Sequence, residues 1–359
     1  IVYSDFTSPE LYRSGSSRGS IDPCYPSKVA IAHVQNLLAV KHRRAALDCI
    51  FFPMFDVLDS PLVGTRGQNA CPTVAATPRT VRAAFTKESD AFAAAGVAYL
   101  DPLVNVADRR LFALQMFETW EPLLGLSRAE NQSAVDAGFA ALDMFWSGLR
   151  RRARVVLDRI EREHRLGIVV LGRPYHHDPG INHGILEELQ KRGYPVFTLA
   201  SLPQDEDLLE RLFGDEVRDG VIAHPLEISD VWSHTTSENT NQKIWAAKVA
   251  ARHPNLVALE FSSFKCGHDA PVYAVVEEIL ESAGRPYLAF KDLDENRATG
   301  AIKLRVETID YFLKRYREES LSTWTFLQQI EEQLAEYESA LRQRVGHAPE
   351  PGSAGTAIL

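Results

Sequence analysis

From about residue 167 onward, short apolar runs alternate with segments whose apolar residues recur at helical spacing. Residues 168–171, 195–198, 256–261 and 287–290 are near-continuous apolar runs of the length of buried strands. Helical periodicity fills 181–192, 239–252, 272–283 and 301–316. Strands alternating with helices of this length predict βαβ units, and so a parallel sheet with helices on both faces. Ligands of such sheets bind beyond the carboxyl ends of the strands. The segments that leave those ends are therefore where chemistry is sought.

The first 125 residues repeat the pattern less cleanly. A strand is expected at 1–4, then a helix opened by Pro26-Ser27-Lys28 and running to about Val40, with Val29, His33 or Val34, Leu37 and Leu38 on one face. Residues 47–52 form an apolar run ended by Pro53, which suits a buried parallel strand. A short helix is expected at 78–85 and a longer one at 111–124. Residues 128–164 read as one long helix or two abutting ones, with Val135, Phe139, Leu142, Trp146 and Leu149 on a common face. Arg150, Arg151, Arg152 and Arg154 read as its solvated side. A last amphipathic helix is expected at 322–345, and a disordered Gly-, Ala- and Pro-rich tail at 346–359. The division expected is an α/β domain over 1–125, a helical linker over 126–166, a second α/β domain over 167–320, a C-terminal helix over 321–345, and the tail.

Composition narrows the function classes. A chain of 359 residues with 45% apolar content can bury a large core. Its net charge of -9 and pI near 5.7 lack the basic surface that nucleic-acid binding needs. No apolar stretch reaches the ~20 residues of a membrane span, and no signal peptide pattern is present. Four cysteines in so long a chain do not make a disulfide scaffold, so a reducing cytoplasm is the expected compartment. Ile1-Val2-Tyr3-Ser4 reads as a strand already under way, so the chain is expected to be part of a longer protein.

Three cysteines stand in distinctive frames: Pro23-Cys24-Tyr25-Pro26, Ala70-Cys71-Pro72 and Phe264-Lys265-Cys266-Gly267-His268. Each falls where a strand or loop hands over to a helix. That arrangement gathers thiolates from several loops around one iron–sulfur cluster. Proline beside the cysteine stiffens the turn and removes an amide donor, and Gly267 lets the backbone approach a bulky group. Short CxxC spacing is absent, which argues against zinc-ribbon and ferredoxin patterns. Free cysteine is also common as a buried small apolar residue, and spacing alone leaves both readings open. Cys49, inside Leu47-Asp48-Cys49-Ile50-Phe51-Phe52, reads as core.

Two other segments leave strand ends. Gly172 to His183 contains Arg173, Tyr175, His176, His177 and Asp178-Pro179, with Asp178 as a helix cap and Pro179 at the first helical position. Arg173 with free amides at a helix start would make an anion or acyl-carrier pocket; a tight turn with a solvated histidine pair explains the segment equally well. A zinc site from His176, His177 and His183 lacks a carboxylate or thiolate at ligand spacing. Lys291 to Asn296 is an acidic turn before the helix at 301–316. Neither a Gly-rich nucleotide fingerprint nor a Walker-type lysine loop occurs, so the chain is not expected to bind ATP by itself.

Asp22 to Lys28, Asn69 to Thr73 and Glu260 to Asp269 resemble the three cysteine motifs of the 2-hydroxyacyl-CoA dehydratase family. The resemblance is nearest to the dehydratase-like C-terminal portion of CoA-substrate-specific enzyme activase fusion proteins. Gly172 to His176, Gly284-Arg285-Pro286-Tyr287 through Asp294, and Gly300 to Glu307 are similar to that family too, so the likeness runs over about residues 1–320. It implies Rossmann-like α/β domains around a 4Fe-4S cluster, with Cys24, Cys71 and Cys266 as ligands and one iron lacking a protein thiolate. It also implies an ATP-dependent activase, fused upstream or separate, that injects a low-potential electron for radical dehydration or reduction of a CoA thioester. Expected partners are that activase, an acyl-CoA and a second subunit as a dimer, with Arg173, Tyr175 and His176 toward the substrate. The alternative is a redox relay or regulatory module without its own substrate. Four cysteines are too few for a double-cubane cluster held by a single subunit.

Overall fold

Every residue of the 167–171 and 256–261 strands is buried, as strands covered on both faces must be. The computed structural model describes residues 1–19, 24–263, 265–293 and 299–345; within its last helix, side chains 299, 322–329, 331–332, 338–340 and 342–345 are outside that description. The expected tail at 346–359, Asp22-Pro23, Phe264 and residues 294–296 of the expected acidic turn lie outside the described residues.

In chain order the elements are α1 (Pro9–Ser16); α2 (Tyr25–Asn36), continued by a π turn (Leu37–Lys41) into α3 (His42–Arg44); β1 (Cys49–Phe51); β2 (Met54–Val57); α4 (Pro72–Thr86); α5 (Ala91–Ala95); β3 (Ala98–Leu100); β4 (Leu103–Asn105); α6 (Arg109–Leu124); and α7 (Arg128–Arg162). There follow β5 (Gly167–Leu171), α8 (Ile185–Lys191), β6 (Val196–Thr198), α9 (Glu206–Arg218), α10 (Glu238–Arg252), β7 (Leu256–Phe261), α11 (Tyr273–Ser282), β8 (Tyr287–Phe290) and α12 (Thr299–Val345).

The fold is α/β, with parallel sheets flanked by helices. The main sheet has the order β6-β5-β7-β8, all parallel. Ile168 stands opposite Val196 on one side and Val257 on the other. Leu157 and Ile160 of α7, Phe213 of α9, Ile244 and Trp245 of α10 and Val276 and Leu280 of α11 pack on this sheet in one core cluster. In the first region β1 pairs with β3, and β2 with β4, both parallel. Ile31 and Val34 of α2, Val81 and Phe85 of α4, Phe92 and Tyr99 form a second core there. The chain divides into two compact units, residues 1–307 and 308–359. All eight described strands lie in the first unit. The described part of the second is the remainder of α12, where Lys314 Nζ pairs with Asp310 Oδ2 at 2.9 Å one turn away. No described helix is long and apolar enough to cross a membrane.

Several expected boundaries move, each for a local reason. Ile1 to Ser4 forms no strand; Ser4 Oγ instead lies 2.6 Å from His33 Nδ1, and Thr7 donates to Asp178 Oδ2 at 2.6 Å. The helix expected from 78 begins at Pro72 and carries Pro78 inside it. The helix expected from 181 begins at Ile185, because His183 (φ 56) and Gly184 (φ 73) are left-handed and break the regular spiral. Asp178 still caps, accepting from the Gly180 amide at 2.8 Å, but it closes a turn before the helix. The separate helices expected at 301–316 and 322–345 are one, since Arg317 to Leu321 contains neither Gly nor Pro to stop it.

Candidate functional site

The chain runs outward from β5 to β6, then crosses back over β5 to β7. That reversal leaves a crevice beyond the carboxyl ends of β5 and β7, the expected binding position in a doubly wound sheet. A cavity of about 780 Å³ opens there. Tyr175, His176 and Ile181 line it from the loop after β5, and Ser263, Lys265, Cys266, Gly267 and His268 from the loop after β7. Cys24, Tyr25 and Pro26 line it from the start of α2, and Cys71, Thr73 and Val74 from the start of α4. Cys24, Cys71 and Cys266 are thus brought to one cavity. Cys49 is not among its lining residues; it sits in β1 opposite Ala98.

Local sequence puts each cysteine there. Cys24 and Cys71 are the extended N-cap residues of α2 and α4, each followed by proline within the first two helical positions. Proline is suited to that place because its missing amide would have had no helical partner. Neither thiol caps its own helix. The first turn of α2 is fixed by Tyr25 and Val29 packing on Ile181, with Tyr12 and Tyr175 against them. Gly180 makes this approach feasible, since a Cβ there would meet the Thr7 carbonyl oxygen at 2.5 Å. Ser27 Oγ and Thr77 Oγ1, 3.0 Å apart and buried, join α2 to α4. The segment before Cys71 is hooked at both ends: the Asn69 amide donates to Thr236 O at 2.7 Å, and the Ala70 amide to Asp56 O at 2.8 Å. Cys266 sits in a tight turn, its amide donating to Ser263 O at 2.9 Å.

Beneath the Cys266 turn lies a buried ionic network that sequence reading missed. Arg173 is 1% exposed. Its Nε and Nη2 donate to Asp269 Oδ1 at 3.1 and 2.9 Å, and Nη2 also donates to Thr240 Oγ1 at 3.2 Å. Lys243 Nζ donates to the same Asp269 oxygen at 2.9 Å and to Glu260 Oε1 at 3.0 Å. Ser262 donates to Asp269 Oδ2 at 2.7 Å, and the Tyr287 hydroxyl donates to Glu260. Burial alone would raise the Asp269 carboxyl, but Lys243 and Arg173 outweigh it and hold it well below the usual carboxylate range. The sequence signal was Glu260 itself, a charge inside an otherwise apolar strand, which must find a partner when buried.

The other sequence candidates separate. Tyr175 and His176 face the cavity, whereas Arg173 is not among its lining residues and is engaged below. The Arg173 amide donates to His176 Nδ1 at 3.0 Å, so Nε2 carries the ring proton. Complete burial, aided by Lys243, lowers the His176 pKa to about 3, keeping the ring neutral. Burial first, then nearby Cys266 and Asp269, pushes the Tyr175 hydroxyl far up, so it stays protonated. His177 lies on the opposite side of the same turn, in a different cavity of about 450 Å³.

All four cysteines are thiols. Among the described residues no group of three or more His, Cys, Asp or Glu side chains is arranged to hold a metal ion. An iron–sulfur cluster makes a different demand. It is a bulky group whose ligands stand around it, so thiols spread over one cavity wall are the relevant pattern. Two further observations fit such a group. A Cβ on Gly267 would meet no atom within 4 Å, so neither packing nor a positive φ explains glycine at that wall. Arg173 Nη1 is buried without a hydrogen-bond partner, and orphaned buried donors are rare.

The sequence model of the CoA enzyme activase uncharacterised domain family (DUF2229) matches residues 1–202. The chain belongs to that family. The matched span includes Cys24, Cys71 and the Arg173–His176 turn and stops before Cys266. No curated protein and no solved structure matches the chain.

Proposed function

We propose that this chain is the iron–sulfur component of a CoA-substrate activase and dehydratase system, with Cys24, Cys71 and Cys266 holding a 4Fe-4S cluster. The observation that carries this reading is the convergence of three loop cysteines on one cavity at the sheet's switch point. Such a cluster, when bound, supplies a low-potential electron and an iron open to a thioester carbonyl. The chain's own contribution is electrostatic and steric. The N-termini of α2 and α4, with their partial positive charge, stand at Cys24 and Cys71 and face the cavity. Tyr175 and neutral His176 offer polar contacts to a ligand without adding charge. Walls from four separate segments would limit water at the centre and so protect a reactive intermediate. The electron would come from an ATP-dependent activase and the substrate would be an acyl-CoA, as the family and the dehydratase resemblance suggest.

Anaerobic reconstitution with iron and sulfide, followed by elemental analysis and visible spectroscopy, tests the reading. Wild-type chain is expected to take up iron and sulfide in equal amounts. Cys71→Ser should abolish the visible absorbance and Cys49→Ser should leave it largely intact. Colourless, iron-free wild-type protein would refute the proposal, and so would equal loss in the two variants.

A further inference from the structure

The buried network under the Cys266 turn balances its own charges: Arg173 and Lys243 against Asp269 and Glu260. One donor is nevertheless left over. Nε and Nη2 of Arg173 are engaged, and Nη1 is buried with nothing to bond. A charged donor left unpaired in the interior is destabilising, so its persistence calls for an acceptor the side chains do not supply. Arg173 is tied to the Cys266 turn through Asp269, whose carboxylate it holds and whose amide donates to Cys266 O at 3.2 Å. Cys266 is bracketed by network residues, with Ser262 on one side and Asp269 on the other.

We propose that Arg173 tunes the cluster of this site: Nη1 donates to the Cys266 sulfur or to a sulfide of the cluster it holds, and the guanidinium charge raises the reduction potential. The inference rests on the proposed cluster. Reduction adds one negative charge to the cluster, and a fixed cation beside it stabilises the reduced form more than the oxidised form. Hydrogen bonds to sulfur act in the same direction, and net charge and hydrogen bonding are among the established controls on such potentials. Removing Arg173 would leave Lys243 facing two carboxylates, a net negative charge under Cys266, so the variant should be harder to reduce.

The experiment uses the full chain after anaerobic reconstitution. In wild-type protein labelled with 15N-arginine, pulsed paramagnetic resonance of the reduced cluster should show coupling to an arginine nitrogen, and Arg173→Lys should lose it. In a redox titration, Arg173→Gln should keep wild-type iron content. Its ratio of reduced to oxidised cluster at the wild-type midpoint should be at least tenfold lower, about 59 mV for one electron. Lys248→Met removes a buried cation of α10, the helix that carries Lys243, where it pairs with Asp230 and lines no part of the cavity; its ratio should stay within about threefold of wild type. A reconstituted cluster with no arginine coupling sinks the inference and leaves the cluster assignment standing, as would equal shifts in the Arg173 and Lys248 variants. Wild-type chain that takes up no cluster overturns both. The wild-type labelling measurement decides the matter even where Arg173→Gln does not fold.

Discussion

Replacing Asp269 by asparagine isolates what the buried network contributes to the fold. The carboxylate accepts three charge-assisted hydrogen bonds on Oδ1, from Arg173 Nε and Nη2 and Lys243 Nζ, and one from Ser262 on Oδ2. Asparagine keeps the volume and one acceptor oxygen for the cations, but it removes the charge and puts an NH2 group where Ser262 now donates. Two buried cations then share one anion, Glu260. Breaking a buried ion pair from one side costs about 3–5 kcal/mol, a large part of a typical stability of about 5–15 kcal/mol. The comparison is Asp143→Asn. That residue pairs with Arg109 at 2.8 Å, a similar distance, but the two side chains are 56% and 55% exposed. An exposed pair contributes about 0–1 kcal/mol. Urea unfolding should therefore show a lower midpoint at unchanged slope for Asp269→Asn and almost no shift for Asp143→Asn. Equal shifts would refute the claim that burial, and not contact distance, sets the value of these pairs.

Two buried groups should give the stability a pH dependence of opposite sign. Burial lowers His253 to about 4, while its ring accepts from the Asn255 amide and pairs with Glu161. Its contribution, about 3 kcal/mol for a 2.5-unit displacement from 6.5, is full above pH 6.5 and is lost as pH falls through 4. Burial raises Glu238 to about 7, so its contribution of similar size is full below 4.5 and is lost as pH rises through 7. The slopes oppose each other between pH 4.5 and 6.5. Thermal melts across that window should show Glu238→Gln losing stability toward acid and His253→Gln losing it toward neutrality; profiles parallel to wild type would disprove the assignment. Gly15→Ala should destabilise by about 1–3 kcal/mol, since its Cβ would meet the Ala32 Cα at 2.3 Å where α1 crosses α2; a melt unchanged from wild type would show that the crossing can relax.

The second region was legible because its strands are buried on both faces. Continuous runs such as Leu256–Phe261 have no polar alternation to confuse them, and their boundaries came out within a residue or two. The first region was less so. β3 and β4 have three residues each, too short for any periodicity to register, and β2 exposes Phe55 at 39%. α9 was missed although its apolar face is regular, because Leu208, Leu209 and Phe213 are diluted by seven charged residues from Glu206 to Arg218. The start of α8 was unreadable for another reason. A left-handed histidine at His183 is a tertiary outcome, and nothing local demands it.

The site shows the same division between local and long-range information. Cys24, Cys71 and Cys266 could be picked out because each stands at the head of a helix or turn, and proline marks two of those heads in the sequence itself. Their meeting at one cavity depends on Tyr25 against Ile181 and on Asn69 against Thr236, contacts no spacing rule encodes. The network below them was hidden because Arg173, Lys243 and Asp269 come from three segments in which each makes sense as ordinary surface charge, and only Glu260, inside an apolar strand, signalled a buried partner. Cys49 shows why residue type alone decides nothing. It has the same thiol, but it sits in a strand, where no helix start offers positive potential. What sets Cys24 and Cys71 apart from Cys49 is therefore the backbone that follows them: each of the two stands at the head of a helix, while Cys49 lies within β1 and continues as strand.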